Sequence, residues 1–160
     1  MSKELKDLKV SDTLKAITIH GPWAWAIIQG YKRVENREWE TPHRGLLAIH
    51  AGKSKDSDQR AAASFQRVHL EAPQNFDRGK IVGTVQLVEI LPLEEYLKKY
   101  GNDPLNREFA IGPFCWVFED PEPCTPFRCP GNFQIWKVKN QLTRLKKKTL
   151  LPGMEENEDE

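Results

Sequence analysis

Apolar and polar positions alternate, or recur at helical spacing, through most of the chain between residues 13 and 140, and the elements they predict follow one another with short connections. Lys15-Ala-Ile-Thr-Ile19 reads as a strand delivering His20-Gly21-Pro22 to a short helix. Pro22 suits its first turn, Trp23, Ala26 and Ile27 share a face, and Gly30 suits the left-handed residue that ends it. A charged strand follows, with Arg33, Glu35, Arg37 and Trp39 on one side and Lys32, Val34, Asn36 and Glu38 on the other. Pro42 and Gly45 mark a turn, after which Leu46 to His50 reads as a buried strand returning beside the charged one as a hairpin. Asp56 and Gln59 resemble a capping box for a helix running to about His69, with Ala61, Phe65 and Val68 on its apolar side.

Leu70 to Arg78 reads as loop, and Gly79 to Leu91 as a long strand apolar on both faces, with a bulge or bend at Gly83. Such a strand is typical of a small closed barrel. Pro92 to Tyr100 carries acids first and lysines last, the charge order of a helix, and Gly101 ends it. Asn102 to Gly112 reads as polar loop, Pro113 to Glu119 as strand, and the prolines at 121, 123, 126 and 130 predict no regular structure before Gly131. Asn132 to Lys139 supplies the last strand. The sum is an α+β domain centred on a small mixed β-barrel of five or six strands with short flanking helices. Residues 1–12 are expected to be a flexible segment and 141–160 a charged tail too poor in apolar residues to fold alone.

Composition changes this picture in three ways. The five acids after Met154 leave 18 against 24 Lys and Arg, so the body is basic, at about +6. That charge suits a polyanionic partner and also serves ordinary solubility. No stretch approaches a membrane span or the apolar core of a signal peptide, which places the expected location in the cytosol without a membrane partner. Cys115, Cys124 and Cys129 are odd in number and lack metal-ligand spacing, so they read as reduced thiols; no metal and no cofactor is implied.

The candidate chemistry lies in the charged strand. Two cations and a carboxylate beside a large aromatic form a polar wall next to a stacking surface, which a polar ring-shaped ligand requires; a solvated edge strand with cross-strand ion pairs is the alternative. Glu35 can accept from an exocyclic amine, or simply hold Arg37 in an architectural ion pair. Lys32 would need burial or neighbouring cations to act as a base, and only its charge to act as a binder. Trp23, Trp25, Trp39 and Trp116 are candidate stacking platforms, with Trp25 and Trp39 favoured because they adjoin polar positions. Arg44, Lys53 and Lys55 are candidate phosphate contacts, and His50 is a candidate for polarising a phosphate or carbonyl. His20 and His43 read as packing residues. No phosphate-cradling loop, nucleophile elbow or dinucleotide-binding glycine pattern is present.

The segment Gly30-Tyr-Lys32-Arg-Val-Glu35-Asn-Arg37 resembles the Gly-x-Lys-x-x-Glu-x-Arg pattern of the ASCH domain, a branch of the PUA-like superfamily. Gly21-Pro22-Trp23-Ala24, His43-Arg44-Gly45, Ile49-His50-Ala51, Gly112 to Val117 and the Gly131 to Val138 strand resemble further elements of that family in the same order, over about residues 15 to 139. His20 and His43 depart from the residues common there. The resemblance implies a PUA-like barrel with a cleft that binds RNA or a nucleotide, lined by Lys32, Glu35 and Arg37. It also implies two enzymatic alternatives: an amidohydrolase on acetylated cytidine, or a ribonuclease, with Lys32 and Glu35 moving protons. In the amidohydrolase branch a Thr occupies the position of Glu35, so a nucleophile there would be replaced by a carboxylate acting on water. A third alternative is an adaptor whose cleft is vestigial and whose tail recruits a protein.

Overall fold

The computed structural model describes residues 14–138. The expected flexible segment 1–12 and the tail 141–160 lie outside the described residues. Six strands, β1 (Lys15–His20), β2 (Val34–Arg37), β3 (Gly45–Gly52), β4 (Lys80–Pro92), β5 (Phe114–Arg128) and β6 (Trp136–Lys137), form one mixed sheet in the order β2-β5-β4-β3-β1-β6. Four helices connect them: α1 (Gly21–Ile28), α2 (Asp58–Arg67), α3 (Leu93–Tyr100) and α4 (Pro104–Phe109). The result is the expected α+β architecture.

The sheet is not closed by backbone pairing, but it curls until its two sides meet. In a flat sheet β2 and β1 would stand four ladder spacings, about 19 Å, apart. Instead the Arg37 guanidinium on β2 donates to the Thr18 carbonyl on β1 at 2.6 Å. A side chain thus bridges the seam where a further ladder would have closed the barrel.

Three bulges produce the curvature. Pairing of β4 with β5 slips between Ile81 and Gly83, between Thr84 and Gln86, and between Leu87 and Glu89. Each extra residue reverses the alternation of faces, so the residues of β4 that enter the central core are Val82, Val85, Leu87 and Ile90 rather than every second position. The bulge expected at Gly83 is present, and a Cβ there would stand 2.3 Å from the Glu122 carbonyl oxygen. Trp116, Leu47, Ile49, Ile17 and α1 complete this core. A second core, with Val34, Phe65, Tyr96, Phe109, Cys115 and Val117, joins the helices to the outside of β2 and β5.

Several local expectations are corrected. The charged strand does not form a hairpin with β3: β2 pairs antiparallel with β5, while β3 runs parallel to β1 and antiparallel to β4. Turn residues between two strands show that the chain reverses, not that the strands pair. The proline-rich stretch is strand, since β5 continues to Arg128. Beyond Phe118, whose N–H still donates to the Arg33 carbonyl at 2.8 Å, it pairs with β4 on one side and with no strand on the other among the described residues, so Pro121, Pro123 and Pro126 interrupt no second ladder there. The polar loop at 102–112 contains α4, whose Asp103 side chain caps the Leu105 N–H at 2.8 Å ahead of Pro104 in the first turn. Helix α2 begins after Ser57, not Asp56, and has no capping-box hydrogen bond. The last strand is confined to Trp136 and Lys137 within the described residues.

Candidate functional site

The chain enters the site through the end of α1. Gly30, with φ +86°, donates to the Ile27 carbonyl at 3.0 Å, and Tyr31 donates to that of Ala26 at 2.9 Å. This is a Schellman closure, and only a residue without a Cβ adopts that φ cheaply. Lys32 N–H also donates to the Ala26 carbonyl at 3.0 Å, so the turn carries Lys32 directly beneath α1. β2 then starts at Val34, which is too late for the two-residue period to set Lys32 apart from Glu35.

Lys32, Glu35, Asn36 and Arg37 reach one cavity of about 790 Å³, which opens between the β1–β2 seam and α2. Lys32 is 3% exposed, and its amine lies 5.6 Å above the Trp23 ring while donating to the Val34 carbonyl. Burial lowers its pKa below the ordinary lysine range; Glu35 partly offsets this by favouring the charged form, and Arg37 opposes it. The Glu35 carboxylate, also buried, accepts from the Asn36 N–H at 3.0 Å and stands 3.8 Å from Arg37. Arg37 spends one nitrogen on Thr18, while its buried Nε has no hydrogen-bond partner among the described residues. Asn36 holds the loop after α4 against β2: its side chain donates to the Phe109 carbonyl at 3.0 Å and accepts from the Ile111 and Gly112 N–H groups at 2.8 Å.

The opposite wall is a ridge on α2. Ser57, Arg60, Ser64 and Arg67 recur at intervals of three and four and all face the cavity. His20 Nδ1 lies 2.5 Å from Ser57 Oγ, tying the end of β1 to this ridge. Glu108 of α4 accepts from Ser64 at 2.9 Å and Arg67 at 2.7 Å. With Lys53, the cavity is lined by five cationic side chains and two carboxylates, a positive balance that favours anionic ligands.

The structure therefore gathers Lys32, Glu35 and Arg37, and it adds Trp23, Asn36 and the α2 ridge. Lys53 lines the same cavity and Trp39 keeps contact with Arg37, whereas Trp25, Arg44 and His50 stand apart. Trp25 packs against Tyr31, Phe65 and Phe76 on the far side of α1. Trp39 does not line the cavity; half-buried, it packs edge-on against Trp116 at 4.9 Å and carries the Arg37 guanidinium 5.9 Å above its ring. Arg44 is exposed at the β2–β3 connection, where it bonds the Thr41 and His43 carbonyls. His50 is buried behind the cavity rather than in it. Trp23 rather than Trp25 lines the cavity, because the two leave the same helix in different directions. The signal that marks the α2 ridge is Ser and Arg at helical spacing opposite Ala61 and Phe65, a pattern that the apolar face alone does not reveal.

His50 has a structural task. Its Nε2 lies 2.6 Å from the Cys129 carbonyl, which only accepts, so Nε2 carries the proton and Nδ1 is free to accept from the Thr18 hydroxyl at 3.1 Å. That hydroxyl accepts in turn from the Asn132 N–H at 3.2 Å. Burial, against the pull of the Cys129 carbonyl and with help from Lys53, lowers the His50 pKa below 6.5. The folded state consequently binds fewer protons than the unfolded one as pH falls below 6.5, and stability present above that pH is lost through the window down to the lowered pKa. The pH dependence of urea unfolding between about 7 and 5 is expected to flatten in His50→Gln; an unchanged slope would assign it to His43, whose pKa is also lowered by burial.

All three cysteines are buried. Among the described residues no group of three His, Cys, Asp or Glu side chains is placed to hold a metal, and no helix is long and apolar enough to cross a membrane.

With the geometry in place, comparison with known proteins is decisive on one point. Residues 17–143 match the ASCH domain. The chain belongs to the ASCH domain family. It is 31% identical over 142 residues to activating signal cointegrator 1 of Homo sapiens and 30% identical to that of Mus musculus, matches that cover 84% of this chain and 24% of each relative. The ASCH chain thus spans about a quarter of those proteins. Among solved structures it is similar to ASCH from Zymomonas mobilis, with a TM-score of 0.51 at 14% identity over 87% of this chain and 95% of the other. A serine-to-alanine mutant of that protein gives a TM-score of 0.50 at 15% identity, over 84% of this chain and 94% of the other. At those identities the likeness concerns the ASCH fold alone.

Proposed function

We propose that the cavity binds a nucleobase of RNA, presented as a plain or modified nucleoside or as one residue of a strand. One observation carries the reading: a buried carboxylate and two cations meet beside the half-buried face of Trp23, at the floor of a basic cavity. A base has a π-face for Trp23 and a polar edge for the charged group. Glu35 accepts from the exocyclic amine of cytosine or adenine, and Lys32 donates to an acceptor on the same edge. A volume of about 790 Å³ lies within the range of small-molecule sites. The basic rim then attracts the sugar–phosphate portion without specifying the base.

Titrating the four ribonucleosides and N4-acetylcytidine into the protein tests this. Cytidine or adenosine is expected to bind ahead of uridine, and Lys32→Met to weaken that binding at least about tenfold, the value of one charge-assisted hydrogen bond. Equal affinity for all five, insensitive to Lys32→Met, would refute it. A second reading is favoured by the lowered pKa of Lys32, which suits a base in amide hydrolysis. Acetate released from N4-acetylcytidine would establish that reaction, with Glu35 and Lys32 activating water in place of a threonine nucleophile.

A further inference from the structure

Of the four large apolar side chains that stand exposed among the described residues, two, Ile111 (61% exposed) and Phe133 (97% exposed), line this one cavity. Both are mounted on backbone that is tied down. The Ile111 N–H is held by Asn36. Ahead of Phe133, Asn132 donates to Thr18, Gln134 folds back to donate to the Asn132 side chain at 3.0 Å, and Gly131 passes so close that a Cβ would lie 2.8 Å from the His50 ring. The relay Asn132–Thr18–His50–Cys129 thus fastens a loop whose exposed product is a phenyl ring in water at the cavity mouth. An anchored, solvent-facing aromatic is the arrangement of a stacking platform, not of a core residue.

Lys53 and Arg60 stand on the same cavity wall, both exposed. Neither has a carboxylate partner among the described residues; Arg60 touches only Ser57 Oγ, at 3.4 Å. Arg67 differs, being occupied by Glu108 at 2.7 Å. The cavity therefore offers a half-buried aromatic face with a polar floor, two cations without a carboxylate partner among the described residues, and a second, outer aromatic face. A polynucleotide alternates base, phosphate and base in the same way.

We infer that the site takes a single-stranded RNA of at least two residues, with one base inside against Trp23, the linking phosphate at Lys53 and Arg60, and the neighbouring base stacked on Phe133. This rests on the nucleobase reading above and specifies its ligand as a strand rather than a free nucleoside. Duplex RNA is excluded from this mode, because paired and stacked bases present neither face.

The test uses the full 160-residue chain with cytidine, adenosine, the dinucleotides CpC and ApA, and a short single strand and its duplex. The dinucleotide is expected to bind at least about fivefold more tightly than its nucleoside, the lower value of one stacked base. Phe133→Ala should abolish that gain while leaving nucleoside affinity unchanged, and Phe133→Trp should restore it. Arg60→Gln should lower the slope of log affinity against log salt by about 0.7 for the single strand. A dinucleotide no tighter than its nucleoside, a Phe133→Ala variant that loses nothing, or a duplex that binds better than the single strand would overturn the inference while leaving nucleoside binding intact. If nucleoside and strand both fail to bind, the nucleobase reading falls and this inference with it.

Discussion

Glu35→Ala is expected to lose nucleoside binding and part of the fold together. The carboxylate is the only acceptor offered to an exocyclic amine by the buried charged group, and a hydrogen bond to a charged partner contributes about 1.5–3 kcal/mol, tenfold to more than a hundredfold in affinity. Its removal also leaves Lys32 and Arg37 near one another without their counter-charge. Breaking a buried pair in this way costs about 3–5 kcal/mol; the lower end applies here, because Lys32 can release its proton and Arg37 retains the Thr18 carbonyl. Glu35→Gln also removes the counter-charge but keeps the volume and the acceptor for the Asn36 N–H, while putting an N–H donor where the amine of the base would approach. Urea unfolding should show a loss in both variants, smaller for Gln, and nucleoside titration should show both weak in binding. A Gln variant that binds like the wild type would reduce Glu35 to an architectural ion-pair partner.

Trp116→Ala is expected to be the most damaging single change to the fold, at about 3–5 kcal/mol. The side chain is completely buried at the meeting of β2, β5 and β4, where Trp116 pairs with Glu35 on one side and Ile90 on the other. Its indole N–H donates to the Trp39 carbonyl at 3.1 Å, and Trp39 leans on it edge to face. Deleting the ring opens a cavity directly behind the binding strand and releases the segment that follows β2. Trp116→Phe retains most of the volume but leaves the Trp39 carbonyl without its donor, so an intermediate loss of about 1–3 kcal/mol follows. Denaturation midpoints read both. Equal stability of the Ala variant and the wild type would mean that the central core is not organised around this residue.

How much of this is legible in the sequence depends on which physical rule governs each element. Helix α1 and its glycine stop, the long strand β4 and its bulge at Gly83, and the charge-ordered α3 follow local rules, and they form where those rules place them. Pairing is not local. Nothing in residues 34–50 distinguishes a β2–β3 hairpin from the observed pairing of β2 with β5, far along the chain. Proline is costly in a central strand, and that cost suggests a loop at 121–130; the sheet places these prolines on an edge where the cost is absent. In the site, alternation puts Lys32 and Glu35 on opposite faces. The Schellman turn brings both to one cavity, because Lys32 precedes the strand. Polar neighbours favour Trp25 and Trp39, yet a ring's surroundings are set by tertiary packing, and only Trp23 of the candidates faces the cavity. Phe133 gives no sequence signal, since an exposed ring and a buried one look alike in an alternating strand.

The central claim is that the base is received by the cavity between the β1–β2 seam and α2. Its most direct measurement follows the five tryptophan indole N–H resonances in a nitrogen–proton correlation spectrum while cytidine or single-stranded RNA is added. The Trp23 signal is expected to move first and farthest, while Trp25 and Trp136, which do not line the cavity, hold their positions. Saturable shifts at Trp25 or Trp136 with Trp23 unmoved would place the ligand elsewhere and contradict it.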